Sequence, residues 1–439
     1  GSRDKVKFFL AGNLQLDLVR IDIIELASFV AEGALIDLEP YFAADDGFAA
    51  SDYFAPALDA IRDPRGHLYG LPSTFTPYVM YANLDLLAKA GIERPPPSWT
   101  WEDFHSIARA TTLDSDHDGR PEQYGVSLTQ WLQAVAPWIW QNEGELLDAS
   151  GTRSRLNEEA VVGALAFLHG LLHRERLASF DATFANQLSQ GLFQAGRAAL
   201  YGPVGYWETY RFKSIRDFHW DVLPLPRGKR AATAVAMTVY VVPRTARHPE
   251  LAYRFLRELA GPRYQRMLAE IGNGVPGLRA AAESPSFLKP EVAPQSEQVF
   301  LDVMAHARFL PPLSNWRKIE SLVQSELGGV LLAGDVTPEA AARAMAEKTD
   351  AYLAREGERS VLPRLKRGAF ELALGASVLA LLGLFLTRRG QPPRGIGRSQ
   401  ERAALAALSL WALGFLLFLL GPAVVSLLLS LCEWSPLRP

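Results

Sequence analysis

The residues of this chain best suited to chemistry are aromatic side chains in loops or at the ends of predicted elements. The sequence has 10 Trp and 13 Tyr. Aromatic rings stack on the CH faces of sugars, while carboxylates, amides and guanidinium groups bond their hydroxyls. This combination predicts a ligand site for a polyhydroxylated solute. The candidate ligand-binding residues are Asp22, Tyr78, Trp131, Trp138, Tyr206, Trp207, Asn273 and Trp316.

Each candidate also has a simpler interpretation. A single large aromatic residue is about as often a core or rim residue as a ligand platform. Tyr78 directly precedes the segment VMYAN, and Tyr206 and Trp207 follow a Gly-Pro pair in GPVGYW. Asp22 and Asn273 can serve as helix-cap or turn residues instead. The sequence leaves both interpretations open for each position.

The segment DSDHDG resembles the start of a calcium-binding loop, which has oxygen-bearing side chains at its first, third and fifth positions before a glycine. Asp114, Asp116 and Asp118 would supply these oxygens, and Glu122 at the ninth position a fourth. The twelfth position, usually glutamate, is Gly125. Calcium is therefore the one candidate cofactor. The alternative is an Asp-rich turn held by its own hydrogen bonds.

Enzyme motifs are missing from the sequence. It contains no GxSxG, no Walker A motif and no HExxH, and its eight His do not cluster at ligand spacing. Carboxylates such as Glu143 and Glu145 are explained more simply as helix-end or surface charges. A carbohydrate-active enzyme, the alternative kept here, would need two carboxylates about 5–9.5 Å apart in a cleft.

Composition restricts the partners. The chain has 439 residues and a formal net charge of −3, so no bulk basic field favours nucleic acid. Cys432 is its one cysteine, which excludes an internal disulfide and a cysteine-based metal cluster.

Strands that alternate with helices must position these residues, and this order predicts an α/β fold. The predicted strands are 16–22, 67–72, 74–83, 221–226 and 233–243. The predicted helices are 98–111, with Ser98 or Thr100 as its cap, 158–176, 184–198, 248–260, 262–271, 316–333 and 337–354. The charged segment 355–367 contains one proline and is predicted to be a linker.

Two long apolar runs follow this linker. Ala369–Leu386 would be about 27 Å long as a helix, close to the thickness of a bilayer core, and Ala403–Leu431 is longer. Both are therefore predicted to span a lipid bilayer. The predicted segments are transmembrane helices at 368–387 and 403–431, a loop at 388–402 and an external tail at 432–439.

Arginines set the predicted topology of these helices. Five of them lie in or beside the short loop between the two runs, and short loops rich in Lys and Arg stay cytoplasmic. The loop is therefore predicted to be inside and both chain ends outside. The protein is predicted to be a multi-pass protein of the plasma (inner) membrane with its large domain on the external, periplasmic side.

Several segments between residues 4 and 354 together resemble family 1 extracellular solute-binding proteins, the maltose-type sugar receptors of ABC importers. The matching segments, in the family's order, are LDLVRIDIIELASFVAEGALIDLEPY, YGLP followed by YVMYANLDLLAKAGIERPPPSWTWEDF, DSDHDGRPEQYGV, RAALYGPVGYW, VVPRTARHPELAYRFLREL and GVLLAGDVTPEAAARAMAEK. The second apolar run, SLWALGFLLFLLGPAVVSLLLSLCEWSP, is similar to the first transmembrane helix of binding-protein-dependent sugar permeases.

The resemblance implies a two-lobed, type II periplasmic-binding-protein fold with a ligand between the lobes. It implies crossing segments near 78–83 and 233–240 in a solute-binding domain at 1–354. Aromatic residues that stack on sugar rings in maltose-type relatives correspond to Trp207 and Trp316. The family's first strand, helix and second strand are absent before Leu16, so an incomplete N-terminal lobe is expected.

The implied function is capture of a carbohydrate for an ABC-type importer by a receptor fused to the start of its permease. The implied partners are the sugar, a second permease subunit, a cytoplasmic ATPase and the lipid bilayer, with no nucleic acid. The alternatives are a membrane-anchored sugar sensor without a transport role and the carbohydrate-active enzyme mentioned above.

Overall fold

The protein is described from a computed structural model, which covers residues 6, 15–47, 49–180, 191–272 and 274–361. Strands and helices alternate along these residues, as predicted. The strands are β1 (Val19–Asp22), β2 (Leu71–Pro77), β3 (Val79–Asn83), β4 (Tyr124–Leu128), β5 (Ala178–Phe180), β6 (Ala198–Val204), β7 (Trp220–Leu223), β8 (Thr233–Val241), β9 (Val275–Pro276) and β10 (Ala307–Arg308).

The α-helices are α1 (Ile23–Ala31), α2 (Glu39–Ala43), α3 (Ala55–Asp59), α4 (Leu84–Lys89), α5 (Trp101–Thr111), α6 (Leu132–Gln141), α7 (Glu159–His169), α8 (Trp207–Phe212), α9 (Pro249–Ala260), α10 (Pro262–Ile271), α11 (Arg279–Ala282), α12 (Gln298–Asp302), α13 (Trp316–Leu327) and α14 (Pro338–Val361). Single 3₁₀ turns occupy Ala50–Asp52 and Val303–His306. The π-helical turns Gly170–Arg174 and Gly328–Ala333 continue α7 and α13.

The helix predicted over 184–198 is wrong where the structure describes it. Residues 191–197 form turns, and β6 begins at Ala198. Gly196 has a positive φ of 70°, a conformation that ends helical geometry and that glycine adopts without strain. Residues 184–190 lie outside the described residues.

Two sheets organise the domain, and both belong to one compact unit of the chain. The first has the order β1-β8-β2-β9, with β10 paired to β8. The second has the order β5-β4-β6-β3-β7. In the first sheet β8 runs antiparallel to both β1 and β2. Each sheet is the centre of one lobe.

The chain passes between the lobes at Tyr78. This residue stands between β2 of the first sheet and β3 of the second. Its amide donates to the carbonyl of Ala234 (2.8 Å), and the hydroxyl of Thr233 donates to the carbonyl of Tyr78 (2.5 Å). The first crossing, at Tyr78, is therefore hydrogen-bonded to Thr233 and Ala234, which are the residues that follow the second crossing.

The second crossing lies between Leu223, which ends β7, and Thr233, which begins β8. The sequence analysis expected crossing segments near 78–83 and 233–240, and the two crossings lie at Tyr78 and just before Thr233, at the starts of these ranges. A third crossing, which the sequence analysis did not predict, lies between β10 and α13. Strand β10 runs parallel to the start of β8, and α13 after it packs into the core of the second lobe.

The second lobe has an aromatic core. Trp99, Phe104, Trp138 and Trp140 are almost fully buried there, together with apolar residues of α7, α13 and α14. Thr100, one of the two predicted caps, is the N-cap residue of helix α5. The Thr100 and Asp103 side chains each accept from the other's backbone amide in a capping box. The apolar spacing of this helix and its cap therefore act together to place its buried face.

Helix α14 extends seven residues into the segment predicted as a linker. It begins at Pro338 and ends at Val361 rather than at residue 354. The charged residues of this stretch are good helix formers, and the next proline is Pro363. Among the described helices, none has the length and apolar character needed to cross a membrane. The predicted transmembrane helices, their loop and the tail lie outside the described residues.

Glu145 ties the second and third crossings to the second lobe. Its carboxylate accepts from Arg230 (3.0 Å) and from both terminal nitrogens of Arg308 (2.9 and 2.7 Å). The Arg308 guanidinium also lies 4.7 Å from the ring centre of Trp140. Although partial burial opposes it, hydrogen bonding from Arg308 and Arg230 holds the pKa of Glu145 below its usual range.

We expect Glu145→Gln to lower the free energy of unfolding by about 1–3 kcal/mol at neutral pH, because charge-assisted hydrogen bonds are lost. A lowered carboxyl pKa stabilises the fold at neutral pH, and this contribution disappears on acidification through the folded-state pKa. The difference between wild type and variant should therefore shrink below about pH 4. Urea unfolding of wild type and variant at several pH values measures this difference in the free energy of unfolding. Glu347→Gln is the control, because Glu347 is exposed. A difference that stays constant with pH would contradict the assignment.

Candidate functional site

Three aromatic residues meet where the chain crosses between the lobes, and we call them the aromatic cluster: Tyr78, Trp131 and Trp207. The Tyr78 and Trp207 rings pack edge to face, with centroids 5.6 Å apart and an interplanar angle of 81°. The indole nitrogen of Trp131 donates to the Tyr78 hydroxyl (3.1 Å). Tyr78 is buried, whereas both tryptophans are partly exposed. The cluster therefore offers two accessible rings on a buried support.

Local structure fixes where the two tryptophans stand. Trp131 is the N-cap residue of α6, and Trp207 is the first residue of α8. A Cβ atom on Gly205 would come within 2.3 Å of both Thr76 and the Trp207 ring. Glycine is thus required for the backbone to pass between β2 and this indole. The short turn after Gly202-Pro203 serves to bring Trp207 against Tyr78.

Asp22 brings a carboxylate from the first lobe. It ends β1 and precedes α1, and its side chain is accessible to solvent. Desolvation by the surrounding protein raises the pKa of Asp22, Arg317 opposes this, and the charges of Glu25 and Glu320 reinforce it. An accessible yet desolvated carboxylate is what a position inside a cleft produces.

Two carboxylates influence the pKa of Tyr78 in the aromatic cluster. Burial raises the pKa of Tyr78 above its ordinary range, and the charges of Asp22 and Glu320 raise it further, against the hydrogen bond from Trp131. Both carboxylates are therefore near enough to the Tyr78 hydroxyl to act on it electrostatically. The sequence analysis identified Asp22 but missed Glu320.

A set of charged residues links the lobes, and we call it the charge cluster: Glu25, Arg317 and Glu320. Arg317 of α13 pairs with Glu25 of α1 (2.7 Å) and with Glu320 one turn further along its own helix (3.1 Å). Glu25 is 292 positions away in sequence, so no local pattern could have predicted this pair. Ile24, next to Glu25, packs against the core of the second lobe.

Three predicted ligand platforms are buried in packing, which corrects the sequence prediction. Trp138 has its ring 5.2 Å from Phe104 and 5.8 Å from Phe167, in the core of the second lobe. Trp316 is 2% exposed and belongs to the same core. A ring enclosed by apolar side chains has no free face for a ligand, and a core aromatic looks the same as a platform in the sequence.

Tyr206 is the third correction. It is 1% exposed, packs between Phe287 and Phe300, and donates its hydroxyl hydrogen to Glu297 (2.7 Å). Its neighbour in sequence, Trp207, faces the cleft because adjacent residues at a helix start point in different directions. Asn273, the remaining candidate, lies outside the described residues.

A separate concavity of about 810 Å³ lies on the second lobe, lined by α5 and α7. Its carboxylate Glu175 is already paired with His105 (2.9 Å) and Arg109 (2.5 Å). None of its lining residues belongs to the aromatic cluster or the charge cluster. It is therefore distinct from the site between the lobes.

The acidic loop of the second lobe brings carboxylates together. Asp114, Asp116 and Glu122 place one oxygen each within 4.8 Å of one another. Asp118 is not part of this group, and its carboxylate accepts from the amide of Arg120 (2.7 Å). The group also accepts from backbone amides of the loop, which fits the alternative of an Asp-rich turn. Three converging carboxylates are a ligand set suited to calcium.

The comparison with known proteins decides the family. The model of the family described as bacterial extracellular solute-binding proteins matches residues 4–266. The chain belongs to this family. An arabinooligosaccharide-binding protein of Bacillus subtilis is 25% identical over 256 residues, which is 56% of each chain.

Solved structures of family members share the fold. An ABC substrate-binding protein from Listeria monocytogenes in complex with cycloalternan is 23% identical, with a TM-score of 0.71 over 80% of this chain and 88% of that one. Maltose-bound MalE3 from T. maritima is 20% identical, with a TM-score of 0.66 over the same shares. The two-lobed, type II periplasmic-binding-protein fold is thereby confirmed. These proteins are solute receptors and not enzymes, so the family does not support the enzyme alternative.

Calcium at the acidic loop remains a prediction. If Asp114, Asp116 and Glu122 hold the ion, millimolar calcium should raise the melting temperature relative to chelator, because a ligand that binds only the folded state stabilises it. Asp116→Asn should remove most of this shift, whereas Asp118→Asn should leave most of it. Differential scanning fluorimetry is the measurement. Identical melting curves in calcium and in chelator would support the plain turn.

Proposed function

We propose that this chain captures a carbohydrate for an ABC-type importer. The observation that carries the proposal is the aromatic cluster at the crossing between the lobes, with Asp22 and Glu320 beside it. Stacking surfaces next to hydrogen-bonding carboxylates are the combination that a sugar requires. The relatives named above are described as binding an arabinooligosaccharide, cycloalternan and maltose.

Ligand capture would work by closure of the lobes. Asp22 belongs to the first lobe and Trp131 and Trp207 to the second, so a solute between them contacts both. The pair between Glu25 and Arg317 also joins the lobes. Arg317 is partly exposed in this pair, whereas the Glu25 carboxylate is buried. The solute would supply the additional contacts that favour the closed arrangement.

We further propose that the receptor is tethered to the plasma membrane by the two apolar runs and fused to the start of a permease. The basis is sequence: two runs of membrane-spanning length, an arginine-rich loop between them, and the likeness of the second run to a permease helix. A second permease subunit and a cytoplasmic ATPase would complete the importer. The receptor would then meet its solute outside the cell.

Trp207→Ala should weaken sugar binding by about 1–3 kcal/mol, or roughly 5- to 150-fold, because one large desolvated aromatic contact is lost. Titration calorimetry of the purified 439-residue chain against a panel of mono- and oligosaccharides measures this. Trp101→Ala is the control, since Trp101 is a partly exposed tryptophan outside the cluster. Release of hydrolysis products from a bound sugar, or affinity unchanged by the Trp207 substitution, would reject the proposal.

Cysteine labelling tests the proposed topology. With Cys432 replaced by serine, Ser360→Cys should react with an impermeant thiol reagent in intact cells and Ser399→Cys should not. The reason is that the loop carrying Ser399 is rich in arginine and should stay cytoplasmic. Both positions should react after permeabilisation, which is the control for accessibility. The reverse pattern in intact cells would place the receptor inside and exclude the import proposal.

A further inference from the structure

Helix α6 begins with a residue that cannot cap it. The first amide groups of a helix have no partner within the helix, and an oxygen on the N-cap side chain usually satisfies one of them. Trp131 occupies the N-cap position of α6. An indole carries a donor and no acceptor, so it cannot supply this oxygen. The amide of Leu132, the first helical residue, therefore requires an acceptor from another part of the chain.

Gln324 of α13 supplies this acceptor from 192 positions further along the chain. Its side-chain oxygen accepts from the amide of Leu132 (2.8 Å), and its side-chain nitrogen donates to the carbonyl of Gln130 (2.9 Å). These are the peptide groups on the two sides of Trp131. One carboxamide therefore fixes the backbone on both sides of Trp131, and with it the direction in which the indole leaves the chain.

The far end of the Trp131 side chain is fixed as well. Its ring nitrogen donates to the Tyr78 hydroxyl (3.1 Å), while part of the ring remains exposed. The backbone is thus held by Gln324 and the ring by Tyr78. Contacts to an aromatic ring depend on its orientation, so a ligand platform has to be held by its surroundings.

Helix α13 provides a rigid support for Gln324. Val323 and Leu327 of this helix are buried in the core of the second lobe. Arg317 precedes Gln324 by seven residues, which is about two helical turns, so both lie on one face of α13. Arg317 pairs with Glu25 of the first lobe (2.7 Å). The helix face that contacts the first lobe therefore also holds the backbone of Trp131.

We propose that Gln324 is a positioning residue of the ligand site, which holds Trp131 so that its ring meets Tyr78 and offers its accessible part to the solute. This inference rests on the proposed function, in which Trp131 contacts the solute. Gln324 acts through Trp131 and not on the solute itself. The alternative is a purely structural role, in which Gln324 caps α6 and contributes only to the stability of the fold.

A double-mutant cycle separates these roles. Gln324→Met removes both hydrogen bonds and keeps the length of the side chain. We expect it to weaken sugar binding by roughly threefold to tenfold, the effect of losing one or two hydrogen bonds. In a Trp131→Ala background the same substitution should change the affinity by less than about twofold, because effects of residues that act through one another are not additive. Titration calorimetry of the purified 439-residue chain with maltose, cellobiose and arabinotriose measures the affinities.

The indole N–H of Trp131 gives a second readout that needs no sugar. With the indole nitrogens isotopically labelled, its NMR resonance is the one that disappears in Trp131→Phe. Gln324→Met should shift this resonance and speed its exchange with solvent, because the hydrogen bond to Tyr78 is weakened. Gln324→Glu keeps an acceptor for Leu132 but loses the donor for Gln130. It should therefore keep the cap of α6 and still shift the resonance.

Gln298→Met is the matched control, because Gln298 is exposed and bonded to Asp302 of its own helix. It should change neither the Trp131 resonance nor the affinity. An unchanged Trp131 resonance in Gln324→Met would overturn the inference, and so would an equal loss of affinity in both backgrounds. A shifted resonance without binding of any of the three sugars would support the hold on Trp131 and count against the proposed carbohydrate ligand.

Discussion

The arrangement of this protein depends on how Tyr78 is held between its two sheets. Its backbone amide and carbonyl are both bonded to the start of β8, so the outward and return crossings meet at one point. The same residue carries the ring that supports Trp131 and Trp207. The residue at the crossing between the lobes therefore also supports the aromatic cluster.

The charges around this hinge differ in how far they are compensated. Glu145 receives hydrogen bonds from two arginines of the crossing segments and holds them on the second lobe. Arg317 instead divides its donors between one carboxylate on each lobe. The first arrangement joins the crossing segments to one lobe, whereas the second joins one lobe to the other.

The second lobe shows why aromatic residues are difficult to assign by function. Trp138 and Trp316 complete an apolar core, while Trp131 and Trp207 stand at helix starts with part of each ring accessible. All four are tryptophans that the sequence analysis named as candidate ligand-binding residues. The two core tryptophans differ from the two accessible ones because side chains distant in sequence enclose them. This enclosure is seen only from the burial of each ring in the structure.

Local patterns in the sequence indicated part of the secondary structure, including helix α5 from its Thr100 cap and the helix that begins at Trp316, because caps and periodicity act within a few residues. They did not indicate β4, β5 and β6, which are three strands of the second sheet. Family motifs likewise specified the two-lobed fold. Only the tertiary structure decided which aromatic rings face the cleft, that a third crossing runs along β8, and that Arg317 pairs with Glu25. These features depend on contacts between segments up to 292 positions apart. Such contacts depend on how whole lobes pack, and they cannot be predicted from the spacing of residues that are close in sequence.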